Sequence, residues 1–167
     1  MNNKLAYDFT VNKEEKSILV QREFAADVPT VWSAYTQSEI LDQWWAPKPW
    51  KARTKRMDFR EGGQWLYAMV GPNGEEHWSV ANYKRIVPQE QFIGTDGFTD
   101  SEGHLNPDMP QSKWDVRFAA KGEHTLVHIL ITYEELEQLE ATIKMGFKEG
   151  LAMGMENLDA LLPSLKK

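Results

Sequence analysis

The chain has 167 residues, of which 25 are acidic, 19 are basic and none is cysteine. This length fits one domain with a sizeable core, and the lack of cysteine excludes disulfides, thiolate nucleophiles and thiolate metal sites. The net negative charge argues against nucleic acid or an anionic membrane as a partner. The start MNNKLAYDF lacks the apolar stretch of a signal peptide, and no apolar run of about 18 residues occurs. A cytoplasmic location is therefore expected.

The first predicted element is a strand over residues 17–25, which are apolar and β-branched. Asp27 then stands where it would cap a short helix with Pro29 in its first turn, and a second short helix over 39–45 ends before Pro47. Residues 1–16 are predicted to form an N-terminal extension, and residues 17–165 a single domain.

Six further strands are predicted between residues 52 and 133, because apolar and polar residues alternate there between glycine-containing turns. In the strand at 64–70, Trp65, Tyr67 and Met69 share one face. Near the end of the series, Trp114 and Phe118 share a face in the same way. Such one-sided alternation favours an antiparallel sheet with one solvated face.

The last predicted element is one long amphipathic helix from about Leu136 to Leu162, which is expected to cover the apolar face of the sheet. Gly146, Gly150 and Gly154 recur along it, although each glycine in a helix interior costs on the order of 1 kcal/mol relative to alanine. Two explanations stay open. The glycines either permit close approach of another backbone segment, which is the favoured explanation, or leave space for a ligand.

Four stretches carry a resemblance to a known family: REFAADVPTVWSAYTQSEILDQWWAPKPW, FREGGQWLYAMVGPNGEEHW, ANYKRIVPQEQFIGTDGFTDSEG and MGFKEGLAMGMENLDALL. In this order they resemble the activator-of-heat-shock-ATPase-like family of the START-like, or SRPBCC, superfamily, over residues 17–162. The resemblance implies an α+β helix-grip fold, in which a seven-stranded antiparallel sheet wraps a long C-terminal helix and two short helices follow strand 1. Ala81 and Arg85 depart from the glycine and glutamate of many relatives.

The superfamily often holds an apolar or amphipathic molecule between sheet and helix, so the same location is the predicted ligand cavity here. Aromatic side chains suit such a wall because their rings exclude water while a polar tip orients a ligand. The residues predicted for the wall are Trp65, Tyr67, Met69, Trp114 and Phe147, and those predicted for its end or mouth are Trp44, Trp45 and Trp78. For the wall aromatics, filling the space is the competing interpretation, and for Trp44 and Trp45 an architectural plug is favoured over a lid.

No catalytic residue, metal ligand or cofactor is predicted, because neither a nucleophile with its base nor a ligand pair at helical or hairpin spacing occurs. His128 alternates with apolar neighbours and is expected to face solvent or to be hydrogen-bonded. The acidic segment 96–110 lacks a calcium-loop pattern and is predicted to be a solvated loop near the cavity rim. The basic side chains at 51–60 are expected on a solvated strand face, with an anionic ligand group at Arg53 or Arg56 as a minor alternative.

The leading hypothesis for function is non-catalytic binding of a small apolar or amphipathic molecule. The first alternative is an enzyme of the cyclase or hydrolase type that uses Tyr67, His128 or an acidic group in the same cavity. The second alternative is an interaction protein similar to an activator of a chaperone ATPase. A monomer or a weak homodimer is expected.

Overall fold

The computed structural model describes residues 5–165 of the protein. Within this range the strands are β1 (Tyr7–Asn12), β2 (Ser17–Phe24), β3 (Lys51–Met57), β4 (Gln64–Val70), β5 (Glu76–Val87), β6 (Gln91–Thr99), β7 (Gln111–Lys121) and β8 (His124–Thr132). The helices are α1 (Val28–Thr36), α2 (Ser38–Trp44), α3 (Leu136–Lys144) and α4 (Phe147–Leu165).

The eight described strands form one antiparallel sheet in the order β1-β2-β8-β7-β6-β5-β4-β3. The predicted α+β class and antiparallel sheet are confirmed, but the predicted number of seven strands was wrong. The additional strand is β1, which pairs with β2 from Tyr7↔Arg22 to Asn12↔Ser17. Strand β1 lies at the edge of the sheet and is mostly exposed, yet its sequence YDFTVN alternates apolar with polar residues, so the signal for this strand was present and was missed.

The core lies between the inner face of the sheet and the helices. In β2 and β8 every second residue is buried, because successive side chains of a strand point to opposite faces. Helix α4 contributes Met155, Leu158 and Leu162, which are all at most 2% exposed. These residues recur at helical spacing, and the predicted apolar stripe of the C-terminal helix therefore faces the sheet.

An ion pair also joins α4 to the sheet. The Arg22 guanidinium on β2 donates two hydrogen bonds to the Asp159 carboxylate on α4, one of them at 3.1 Å. The Arg22 side chain is only 9% exposed, whereas that of Asp159 is 34% exposed. A two-bond pairing of this kind fixes the orientation of both side chains, so it sets where α4 crosses β2.

The predicted single C-terminal helix is in fact two helices. Helix α3 ends at Lys144, and Gly146 has a φ of +88° before α4 begins at Phe147. Glycine is the residue that most readily adopts a positive φ, so Gly146 is placed where the chain changes direction. None of the helices within residues 5–165 is long and apolar enough to cross a membrane.

The two short helices α1 and α2 follow β2 directly and close one end of the sheet. The side chain of Asp27 accepts a hydrogen bond from the backbone N–H of Thr30 at 3.1 Å, as the prediction of a helix cap required. Helix α2 ends at Trp44, shortly before Pro47. The segment after α2 then runs between β3 and α4, where it reaches the candidate site.

The polar segment 96–110 is only partly a loop. Residues 96–99 belong to β6, and the remainder folds back over the outer face of the sheet. There the Leu105 side chain lies so close to Gly97 that a Cβ at Gly97 would be 2.5 Å from it, and Gly103 lies against Leu66. Leu66 is fully buried as a result, although it points away from the main core.

Candidate functional site

A cavity of about 310 Å³ lies between the inner face of the sheet and the junction of α3 with α4. Strands β4 to β7 supply one side, and both helices together with the segment after α2 supply the other. The wall is mainly apolar and aromatic, with a few polar groups from Ser79, Asp96, Ser112 and Thr142. Ligand pockets in proteins typically have volumes of ~300–1,000 Å³ and walls of this composition.

The break between α3 and α4 borders this cavity. The three glycines of the C-terminal helices have separate roles. Gly146 makes the break, and Gly150 lines the cavity, where an added Cβ would meet only the Pro47 ring at 3.7 Å. Gly154 packs closely, because a Cβ there would lie 3.1 Å and 3.2 Å from the carbonyl oxygens of Trp45 and Trp44. Close packing, the favoured explanation, therefore applies to Gly154, and space beside the cavity to Gly150.

The adjacent tryptophans at the end of α2 point to different places. Trp44 is 1% exposed, and its Nε1 donates to the backbone carbonyl of Ala34 at 3.0 Å. Trp45 lines the cavity, and its Nε1 donates to the hydroxyl of Tyr67 at 3.0 Å. Trp44 thus fills the core between the short helices and the sheet, while Trp45 forms part of the cavity wall.

Five of the eight side chains that the sequence pointed to lie on the cavity wall: Trp45, Tyr67, Met69, Trp114 and Phe147. The other three lie elsewhere. Trp44 is in the core, and Trp65 stacks on Tyr67 with ring centroids 4.0 Å apart, outside the cavity. Trp78 is on the opposite face of β5, where its ring lies beneath Arg53 and Lys55.

Asp96 is the functional candidate that sequence analysis missed. It was assigned to the solvated segment, but it is on the inner face of β6, opposite Ala81 of β5 and Ser112 of β7. Its accessible surface faces the cavity, and it also borders a second void of about 30 Å³. The alternation of Phe92, Gly94, Asp96 and Phe98 is the signal that would have placed it inward, because Phe92 and Phe98 also point to this side.

Burial raises the pKa of Asp96 from 3.8 to about 7. The cause is loss of hydration, which disfavours the charged carboxylate, and no cation among the described residues opposes it. Near neutral pH the group therefore exists in both protonation states, so it can accept a hydrogen bond as the carboxylate or donate one as the acid.

The remaining titratable candidates do not meet at the cavity. His128 lies on the outer face of β8, between Gln21 of β2 and Arg117 of β7, so it does not serve the enzyme alternative. Arg53 pairs with Glu76 at 2.8 Å, outside the cavity. In residues 5–165 no group of three or more histidine, aspartate or glutamate side chains is placed to hold a metal ion.

Comparison with known proteins gives consistent results. The family described as Activator of Hsp90 ATPase homolog 1-like protein matches residues 25–163. A structure from Mycobacterium smegmatis is similar at 28% identity and a TM-score of 0.87, covering 95% of this chain and 97% of that one. A structure from Arthrobacter aurescens is also 28% identical, with a TM-score of 0.88 and coverage of 94% and 91%.

A structure from Nitrosomonas europaea is 25% identical, with a TM-score of 0.77, and the match covers 90% of this chain and 96% of that one. A search of curated proteins found no match. The family match spans most of the chain, from the residue after β2 to the last turn of α4, and so includes every element that borders the cavity. The chain therefore belongs to the Activator of Hsp90 ATPase homolog 1-like protein family.

Proposed function

We propose that the protein binds a small, mainly apolar molecule in the cavity between the sheet and the α3–α4 junction. The observation that carries this proposal is the cavity itself, which has a volume of about 310 Å³ and aromatic side chains on its wall. Protein interiors are otherwise packed as densely as organic crystals, so a partly open space of this size between the sheet and the helices is suited to a ligand.

The sequence of α4 supports the proposal. A larger residue at Gly150 would extend towards the cavity, and its helix propensity would be higher than that of glycine by about 1 kcal/mol. Only Pro47 stands within 4 Å of an added Cβ, so contact with the backbone does not demand glycine here. Retention of the open space is the function that we assign to this residue.

Tryptophan fluorescence tests the proposal, because the indoles of Trp45 and Trp114 lie on the wall. The full-length protein would be titrated with a library of small apolar molecules of different shapes. We expect a saturable shift of emission with at least one compound. A library without any such compound would contradict the proposal.

Substitutions at Gly150 provide the control. Gly150→Leu is expected to occupy the cavity and abolish the shift, whereas Gly150→Ala adds one methyl group and is expected to keep it. Both variants remove the same glycine from the helix, so they differ only in the volume added. Equal binding by both variants would show that the compound binds outside the cavity.

A second candidate function is acid–base catalysis on the bound molecule, and the Asp96 carboxyl favours it. A general acid or base is most effective when its pKa is near the working pH, and burial raises the pKa of Asp96 to about 7. Under this hypothesis Asp96→Asn would abolish turnover of a compound while the compound still bound. Turnover that survived in this variant would exclude Asp96 as the catalytic group.

A further inference from the structure

The Asp96 carboxyl has no hydrogen-bond or ion-pair partner in the part of the chain that the structure describes. Among residues 5–165 no group donates a hydrogen bond to it or forms an ion pair with it. The carboxyl of Asp42, which is half-buried like that of Asp96, differs because it accepts hydrogen bonds from the backbone N–H and the hydroxyl of Thr54 at 3.0 Å and 2.7 Å. Buried polar groups in proteins are normally hydrogen-bonded, so the open capacity of Asp96 is available to a molecule in the cavity.

The titratable groups that face Asp96 are the tyrosines Tyr67, Tyr83 and Tyr133. Burial raises the pKa of each hydroxyl above its ordinary value, so all three are uncharged at neutral pH. Lysine and arginine do not occur on the described wall, and its one histidine, His77, is an exposed residue near the start of β5. An ionised Asp96 therefore carries a negative charge that no cation on the described wall balances.

Aromatic rings border the space beside this carboxyl. The ring centroids of Trp45 and Trp114 are 6.1 Å apart, and those of Trp114 and Phe147 are 6.0 Å apart. All three rings and Asp96 line the same cavity. The face of an aromatic ring carries negative potential and attracts cations, most strongly in tryptophan. The wall and the carboxyl thus favour the same charge in a ligand.

The classes of ligand differ in what they offer to this arrangement. An anion would meet the charge of Asp96 without a counter-ion, and a wholly apolar molecule would leave the carboxylate desolvated and unpaired. A protonated amine would form a charge-assisted hydrogen bond with Asp96 and contact the aromatic faces. We propose that the molecule bound in this cavity is an apolar amine whose protonated nitrogen pairs with Asp96, an inference that rests on the proposed function.

Isothermal titration calorimetry at pH 8 tests this with three probes that share one ring: cyclohexylmethylamine, cyclohexylmethanol and cyclohexanecarboxylate. The amine is expected to bind about 10- to 100-fold more tightly than the alcohol, which is the range for a hydrogen bond to a charged group. The carboxylate is expected to bind most weakly. In Asp96→Asn the amine should lose its advantage, while the affinity for the alcohol stays unchanged.

The outcomes separate the two proposals. Binding of the alcohol and the amine with equal affinity, or an amine preference that persists in Asp96→Asn, would overturn the assignment of ligand class and leave the binding function standing. Failure of all three probes and of the compound library would overturn the binding function itself. Tighter binding of the carboxylate than of the amine would overturn the assigned charge.

The wild-type protein provides a second measurement should Asp96→Asn not fold. The pKa of the free Asp96 carboxyl is about 7, so lowering the pH from 8.5 to 5.5 protonates it. The affinity for the amine is expected to fall by about tenfold or more, because each pH unit below the pKa removes about nine-tenths of the remaining carboxylate. The affinity for the alcohol should stay constant, and an amine affinity that does not change with pH would contradict the pairing.

Discussion

Replacing Asp96 by asparagine should stabilise the protein at alkaline pH and leave its stability almost unchanged at acidic pH. The folded-state pKa of Asp96 is about 7, against an ordinary value of 3.8. Between these values the folded protein keeps the proton that the unfolded chain has released. The free energy of unfolding of the wild type therefore falls as the pH rises through this window, and above pH 7 the loss is complete.

The size of the effect follows from the shift. At about 1.4 kcal/mol per pH unit, a shift of about three units lowers the free energy of unfolding of the wild type by as much as about 4 kcal/mol at pH 8. Water in the cavity solvates the carboxylate and makes this loss smaller. Asparagine has a similar shape and does not ionise, so the variant avoids this loss. Urea unfolding at pH 4.5, 6 and 8 measures the difference in free energy between variant and wild type at each pH.

Asp115 on the neighbouring strand β7 is the matched control. Burial acts to raise the pKa of Asp115, but hydrogen bonds from Arg117 and Gln91 outweigh it and lower the pKa below the ordinary value. Asp115→Asn should therefore destabilise the protein by a constant amount between pH 6 and 8, since the carboxylate is fully ionised there. If the stability difference for Asp96→Asn were also constant over pH 4.5–8, the environment assigned to Asp96 would be wrong.

Three further predictions concern packing and charge. Gly154→Ala should lower the free energy of unfolding by about 1 kcal/mol, because crowding against two carbonyl oxygens exceeds the gain in helix propensity, whereas Gly150→Ala should raise it by about 0.5–1 kcal/mol. Thermal unfolding would show opposite shifts of the midpoint of ~2–4 °C per kcal/mol, and shifts of the same sign would contradict the two packing roles. Trp44→Phe should destabilise the protein by about 1–3 kcal/mol, because it removes a hydrogen bond and core volume. Trp78→Phe on the outer face should cost less than about 0.5 kcal/mol. Equal losses of stability in urea unfolding would refute this difference. The hydrogen bond with His124 on β8 is the largest of the effects that lower the pKa of Glu23 to about 2. Glu23→Gln should therefore be less stable than the wild type above about pH 4.5 and equally stable near pH 2. A difference in stability that persists at the acid end of the titration would exclude this explanation.

Much of the candidate site was accessible from local pattern. Tyr67 and Met69 alternate along one strand, and alternation alone puts both on the face that borders the cavity. Trp65 shares that face, yet it stacks on Tyr67 and its Nε1 donates to Thr54 at 2.9 Å. Pattern distinguishes the two faces of a strand, but it does not say where along a face the core is filled and where it is open.

The sequence by itself determined the class of fold, the antiparallel sheet, the two short helices and the apolar face of the C-terminal helix. These features depend on residues close together in the chain, whose periodicity and turn signals persist whatever lies opposite. The tertiary structure decided that β1 pairs at the edge of the sheet, that the helix breaks at Gly146 and that a cavity stays open beside Asp96. Each of these depends on segments that are distant in sequence. The partner across the sheet decides whether an edge strand pairs. The partners across the core decide where space stays open and whether a carboxyl beside it loses its hydration.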